Sequence, residues 1–116
     1  MEHRCSPRLT TDLKVRLRHQ KQQRSGRLLN CSTLGFYIST EGLEYALHQR
    51  VAVDVALRDI DGNAYTFVFD GRVVRKGENY IALELEAAHV PTQSALNFID
   101  ILKQLQAPRA QQRQLG

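Results

Sequence analysis

Tryptophan is absent from this 116-residue chain, methionine occurs once and cysteine only twice. Cys5 and Cys31 form no C-x-x-C pair and stand near no histidine pair at metal spacing, which excludes the common zinc and dithiol signatures. A disulfide between them is formally available, but ordinary usage favours two free thiols in a reducing compartment. No apolar run approaches the ~18 residues that a membrane span needs, and no signal peptide opens the chain, so a cytoplasmic location is expected. His3, His19, His48 and His89 are scattered, with no carboxylate spacing that would make a base or a metal site. No nucleophile, base and orienting group can be assembled. The expectation is a single small binding domain without enzymatic activity, metal or cofactor.

What is present is positive charge, and it is unevenly placed. The net charge is +4. Residues 1–27 hold eight basic side chains against Glu2 and Asp12, whereas the remainder carries eight basic and ten acidic residues. Binders of long nucleic acids spread cations along a groove to neutralise many phosphates. A concentrated basic segment suits a small anionic ligand at least as well.

Hydrophobic periodicity defines the scaffold. Leu13-Lys14-Val15-Arg16-Leu17-Arg18 alternates apolar and basic, the pattern of a half-buried strand with its cations in water. Residues 20–26 are polar and read as a loop returning into Arg27-Leu28-Leu29. Phe36-Tyr37-Ile38 forms a third strand, and residues 39–49, interrupted by Gly42, a loop. Val51, Val53, Val55 and Leu57 mark a fourth strand. Asp59-Ile60-Asp61-Gly62-Asn63 has hairpin chemistry, leading to a strand through Tyr65-Thr66-Phe67-Val68-Phe69 and Gly71-Arg72-Val73-Val74. A turn at residues 76–79 precedes Ile81, Leu83 and Leu85. After Pro91 the period changes: Ala95, Phe98, Ile99 and Leu102 make the apolar stripe of an amphipathic helix. Six short strands and one helix predict a mainly β fold, a small antiparallel barrel or sandwich with the helix across an open end. The expected divisions are an arm at 1–12, a barrel at 13–88, a helix at 91–106 and a disordered tail at 107–116.

Two clusters carry chemistry. Arg4-Cys5-Ser6-Pro7-Arg8 places two guanidinium groups four positions apart, with Pro7 stiffening the segment between them. Arginine presents a planar fork that matches phosphate oxygens and the O6/N7 edge of guanine. The neighbouring cations would also lower the pKa of Cys5 and make it modifiable. The second cluster is Asn30-Cys31-Ser32-Thr33-Leu34-Gly35. Asn30 offers both donor and acceptor to a guanine edge, Ser32 offers a hydroxyl, and Gly35 allows close backbone approach or a positive φ. Cys31 reads as a small core hydrophobe.

Arg4-x-x-x-Arg8 followed by Asn30-x-Ser32-x-x-Gly35 resembles the PilZ domain family, and the resemblance extends over roughly residues 2–105. It implies a six-stranded antiparallel PilZ-type β-barrel with one C-terminal α-helix that binds the bacterial second messenger cyclic di-GMP. By that similarity Arg4 and Arg8 contact guanine and phosphate, Asn30 and Ser32 read a guanine edge, and Gly35 permits the turn. Asn30 stands where the family often has aspartate, which removes charge assistance. His48-Gln49 replaces a glycine common before the fourth strand. Arg75 occupies a position where some relatives place an aromatic beside the ligand, and could stack there through a cation–π contact.

The function this implies is a receptor whose arginine arm orders over the barrel when cyclic di-GMP binds, regulating a separate effector protein, with biofilm or motility as the regulated process. The alternative is a ligand-independent interaction module using a barrel face and the Phe98/Ile99 helix. An RNA-binding barrel is disfavoured because paired aromatics on a basic strand are missing.

Overall fold

The computed structural model describes residues 8–86 and 92–107. Six strands form a closed antiparallel barrel: β1 (Leu9–His19), β2 (Gln22–Cys31), β3 (Gly35–Ser39), β4 (Arg50–Arg58), β5 (Ala64–Lys76) and β6 (Tyr80–Leu85). Their order around the barrel is β1-β2-β3-β6-β5-β4, with β1 closing onto β4. A short 3-10 helix, Gly42–Glu44, lies between β3 and β4, and α1 (Gln93–Leu105) follows the barrel.

Alternation decides which side chains fill the barrel. Val15, Leu17, Leu28, Phe36, Ile38, Val51, Val53, Val55, Val73, Ile81 and Leu83 are buried, and their chain neighbours point outward. The helix closes one mouth. Phe98 is fully buried, with its ring 5.3 Å from Phe67 and Phe69 in edge-to-face contact and 6.0 Å from Phe36. Such pairs add about 0.5–1.5 kcal/mol each beyond area burial. Thr92 caps α1, its Oγ1 accepting from the Ala95 N–H at 3.1 Å. Pro91, read above as the helix start, lies outside the described residues, as do residues 108–116 of the expected tail.

Three local expectations are corrected. Residues 22–26 are strand, not loop: β2 pairs with β1 from His19↔Gln22 onward, leaving only Gln20 and Lys21 as the turn. Gln20 takes φ 52°, and the polarity of Gln22 and Gln23 reflects their exposed end of the hairpin. The arm expected to run through residue 12 ends earlier, because Leu9 and Thr10 already pair with Cys31 and Asn30. The sequence shows no alternation there because the register shifts between Thr10 and Leu13. Finally, Phe98 and Ile99 face the core and are not available as a docking surface.

Gly42 is required by close approach. A Cβ at this position would stand 1.9 Å from the carbonyl oxygen of Gly77 and 2.3 Å from that of Tyr80, so the 3-10 helix lies directly on the β5–β6 turn. Gly62 is required by conformation, with φ 88° and open space around it. Gly42→Ala is therefore expected to cost about 3 kcal/mol or more by displacing backbone. Gly62→Ala should cost only about 1–2 kcal/mol of left-handed strain. Urea unfolding of both variants measures the difference, and equal losses would contradict it.

Candidate functional site

The root of the arginine arm and the second motif meet on one end of the barrel. Thr10↔Asn30 and Leu9↔Cys31 are register partners, so the residue before β1 is held beside the end of β2. There the Nε of Arg8 donates to Oδ1 of Asn30 at 2.7 Å. Arg8 is exposed and Asn30 half-buried. With Nε engaged, the two terminal nitrogens of Arg8 and the amide NH2 of Asn30 are, among the described residues, left as donors for an acceptor-rich ligand. Arg4 lies outside the described residues.

Ser32 has a different part. It is buried, at 3% exposure, and its Oγ accepts from the N–H groups of Leu34 (3.1 Å) and Gly35 (3.2 Å). The Ser32 N–H in turn donates to the Gly35 carbonyl at 2.9 Å. This is a side-chain-closed turn that carries the chain from β2 into β3. Gly35 opens β3 opposite Glu84. A Cβ on Gly35 would sit 2.9 Å from the Leu83 carbonyl oxygen, and its φ is not positive. Of the two reasons entertained for this glycine, close approach is the operative one.

Cys31 is fully buried and free. Desolvation pushes its thiol up to about 11, against the opposing influence of the nearby Arg8 charge. Cys5 lies outside the described residues.

Arg75 is exposed on β5, just past an irregularity between Val73 and Arg75. It pairs with Ala82, which pairs with Tyr37, which pairs with Asn30. Arg75 thus shares a register row with Asn30 but lies three strands round a six-stranded closed barrel, on the opposite side from the motif residues and out of contact with them. Between them stand two residues that the motif reading passed over. Tyr37 and Tyr80 stack on this outer wall with ring centroids 4.9 Å apart and planes 11° from parallel. Tyr80 also covers Gly77, where a Cβ would come within 2.4 Å of its ring. The signal was available: Tyr37 falls on the outward phase of Gly35-Phe36-Tyr37-Ile38. Ion pairs Arg72–Glu84 (2.9 Å) and Arg50–Glu86 (3.0 Å) flank the wall.

Among the described residues no cluster of three or more His, Cys, Asp or Glu side chains is placed to hold a metal ion. No helix among them is long and apolar enough to cross a membrane.

A closed six-stranded antiparallel barrel, capped by one helix and carrying an arginine at the root of its N-terminal arm against an Asn-x-Ser-x-x-Gly turn, defines a small β-barrel binding domain. The chain belongs to the PilZ domain family, whose model matches residues 2–99. Comparison with curated proteins gives no match. Among solved structures, the fold is similar to that of the Bacillus subtilis inhibitor of motility, MotI/DgrA, with a TM-score of 0.70 at 19% identity over 94% of this chain. This chain corresponds to about half of that protein, 55% of its length.

Ser32→Ala is expected to lower stability by about 1–3 kcal/mol even without ligand, because two backbone donors lose a buried acceptor. Asn30→Ala, on the half-exposed wall, should change stability by less than about 0.5 kcal/mol. Chemical denaturation of the two variants checks this ordering. In a Cys5→Ser background, Cys31 is expected to hold about a hundredfold less thiolate at pH 8 than an ordinary cysteine, since its pKa moves from 9.0 to about 11. Its reaction with Ellman's reagent should accordingly be slow in the native protein and fast in guanidinium. Rapid native labelling would show that the end of β2 opens readily.

Proposed function

We propose that this domain is a receptor for cyclic di-GMP, and that binding changes the conformation of the arginine arm to regulate a separate effector protein. The observation that carries the reading is the Arg8–Asn30 hydrogen bond, 2.7 Å, which joins the two halves of the motif across 22 residues of sequence. In this reading Arg4 and Arg8 engage phosphate and the O6/N7 edge of guanine. Asn30 offers its amide to a guanine edge, while Ser32 and Gly35 shape the turn that presents it. Tyr37 lies next to Asn30 in register and supplies an apolar ring surface beside the base. Arg75, three strands round the barrel from Asn30, takes no ligand contact in this reading.

In this reading, ordering of the arm on binding accounts for switching. Ordering the arm costs conformational entropy, and the ligand supplies the differential affinity that favours the closed arrangement. The motility inhibitor named above suggests motility as the regulated process, biofilm formation being the other candidate output. The domain needs no catalytic group for this role.

Isothermal titration calorimetry with cyclic di-GMP tests the reading. Wild type is expected to bind. Arg8→Ala, Arg4→Ala and Asn30→Ala are each expected to weaken binding by about 1–3 kcal/mol, some 5- to 150-fold. Absence of heat from wild type at tens of micromolar ligand would overturn the assignment.

A further inference from the structure

A second wall of the barrel faces away from the β3–β6 surface. On β1, Val15 and Leu17 point into the core, so Lys14, Arg16 and Arg18 alternate outward. They line a shallow groove of ≈ 770 Å3 across β2, β1, β4 and β5, whose surface also includes Arg24, Asp54, Ala56 and Val68. Register fixes this arrangement: Arg16 pairs with Asp54, and Asp54 with Val68.

The charges in the groove are not equivalent. Arg18 closes a two-pronged fork on Asp54, Nε to Oδ2 and Nη2 to Oδ1, both at 2.7 Å. That pair neutralises the carboxylate and stiffens the floor. Lys14 and Arg16 are exposed and make no side-chain hydrogen bond or ion pair among the described residues. Beside them Val68 is 54% exposed and Ala56 is also exposed, an aliphatic strip next to two unpaired cations.

Closure of the barrel limits how such a wall is used. At the groove, β1 pairs with β4 through Arg16↔Asp54 and β4 with β5 through Asp54↔Val68, so the backbone there is engaged within the sheet and offers no edge to an added strand. Recognition must run through side chains. A nucleic acid is the weaker fit: no aromatic side chain lines the groove for base stacking, and the exposed aliphatic strip offers nothing to a phosphate backbone. Carboxylates suit Lys14 and Arg16, and an aliphatic group suits Val68.

We propose that this groove is the docking site for an acidic segment of a partner protein, a short stretch in which carboxylates flank an aliphatic side chain. Lys14 and Arg16 take the carboxylates, and Val68 with Ala56 takes the aliphatic group. The groove is argued from its own geometry; that its occupant is the receptor's effector rests on the cyclic di-GMP reading.

The test uses the full chain without nucleotide, so that failure of nucleotide binding and failure of docking are read separately. Fluorescence anisotropy follows a labelled 14-residue peptide alternating glutamate with leucine or valine, its lysine-for-glutamate counterpart and a 14-nucleotide oligouridine. The glutamate peptide is expected to bind about tenfold or more tightly than either control, with affinity falling as salt rises. Lys14→Glu/Arg16→Glu and Val68→Asp should each weaken it about tenfold or more, whereas Lys103→Ala on α1 should not. Both groove variants are expected to stay folded, with a melting temperature lowered by the new carboxylate opposite Asp54, and to keep the wild-type response to cyclic di-GMP. Preference for oligouridine would reassign the groove to nucleic acid. Failure of the glutamate peptide to bind, or equal weakening by Lys103→Ala, would overturn the proposal.

Discussion

Barrel closure is the constraint from which the other features follow. Pairing of β1 with β4 closes the sheet and leaves each strand with one inward and one outward set of side chains. The inward set must fill a fixed volume, and it does so with aliphatic side chains plus Phe36 and Phe69, plugged at one mouth by Phe98 from α1. Truncating such a plug removes transfer energy and leaves a cavity, a loss of about 3–5 kcal/mol for a buried phenylalanine. The outward set is released from packing duty, and both the motif wall and the basic groove are built from it.

The strands whose alternation is clean were readable as sequence. Residues 51–57 and 81–85 needed only a period of two, and the helix announced itself by the switch to i, i+3, i+4. What alternation could not show was where pairing continues through polar or irregular stretches. Gln22, Gln23 and Ser25 look like loop residues because they sit at the exposed end of a hairpin, yet their backbones are fully paired with β1. The first residues of β1 were hidden for a different reason, since the shift between Thr10 and Leu13 breaks the phase that a periodicity argument relies on. Closure itself depends on a long-range pairing, Val15↔Val55, that no local pattern encodes.

The motif residues were legible as a set but not as individuals. Asn30 and Ser32 are two positions apart and appear equivalent in a sequence, both polar and both near a glycine. Asn30 lies on the outer wall, its amide joined to Arg8, while the Ser32 oxygen is turned inward to hold two backbone N–H groups. Gly35 works by allowing β3 to approach the Leu83 carbonyl, which spacing alone could not distinguish from a positive-φ turn. Loss of binding in a Ser32 variant therefore mixes ligand contact with turn collapse, whereas Arg8 and Asn30 separate cleanly from stability. Tyr37 and Tyr80 escaped notice because a tyrosine in a strand is ordinary; only their stacking beside Asn30 makes them part of the site.

Folding also redistributes the N-terminal charge that dominates the sequence. Arg24 pairs with Glu44 and, more distantly, Glu41; Arg27 pairs with Asp12 at 2.6 Å. Arg18 is tied to Asp54, holding that carboxyl below its usual range so that the pair stays ionised as pH falls toward the normal carboxylate region. These pairs are partly or fully solvated and individually weak, but they determine which cations stay open. Lys14 and Arg16 remain on one wall, and Arg8 stands at the root of the arm on another. The two groups are joined by β1 itself, six residues and roughly 20 Å of hydrogen-bonded strand from Arg8 to Lys14. A ligand that orders residues at the start of β1 acts on the strand that also forms the groove. One basic segment is thereby divided into an exposed arginine at the root of β1 and a pair of open cations on the side of the barrel, separated along a single strand and held in place by the closed barrel.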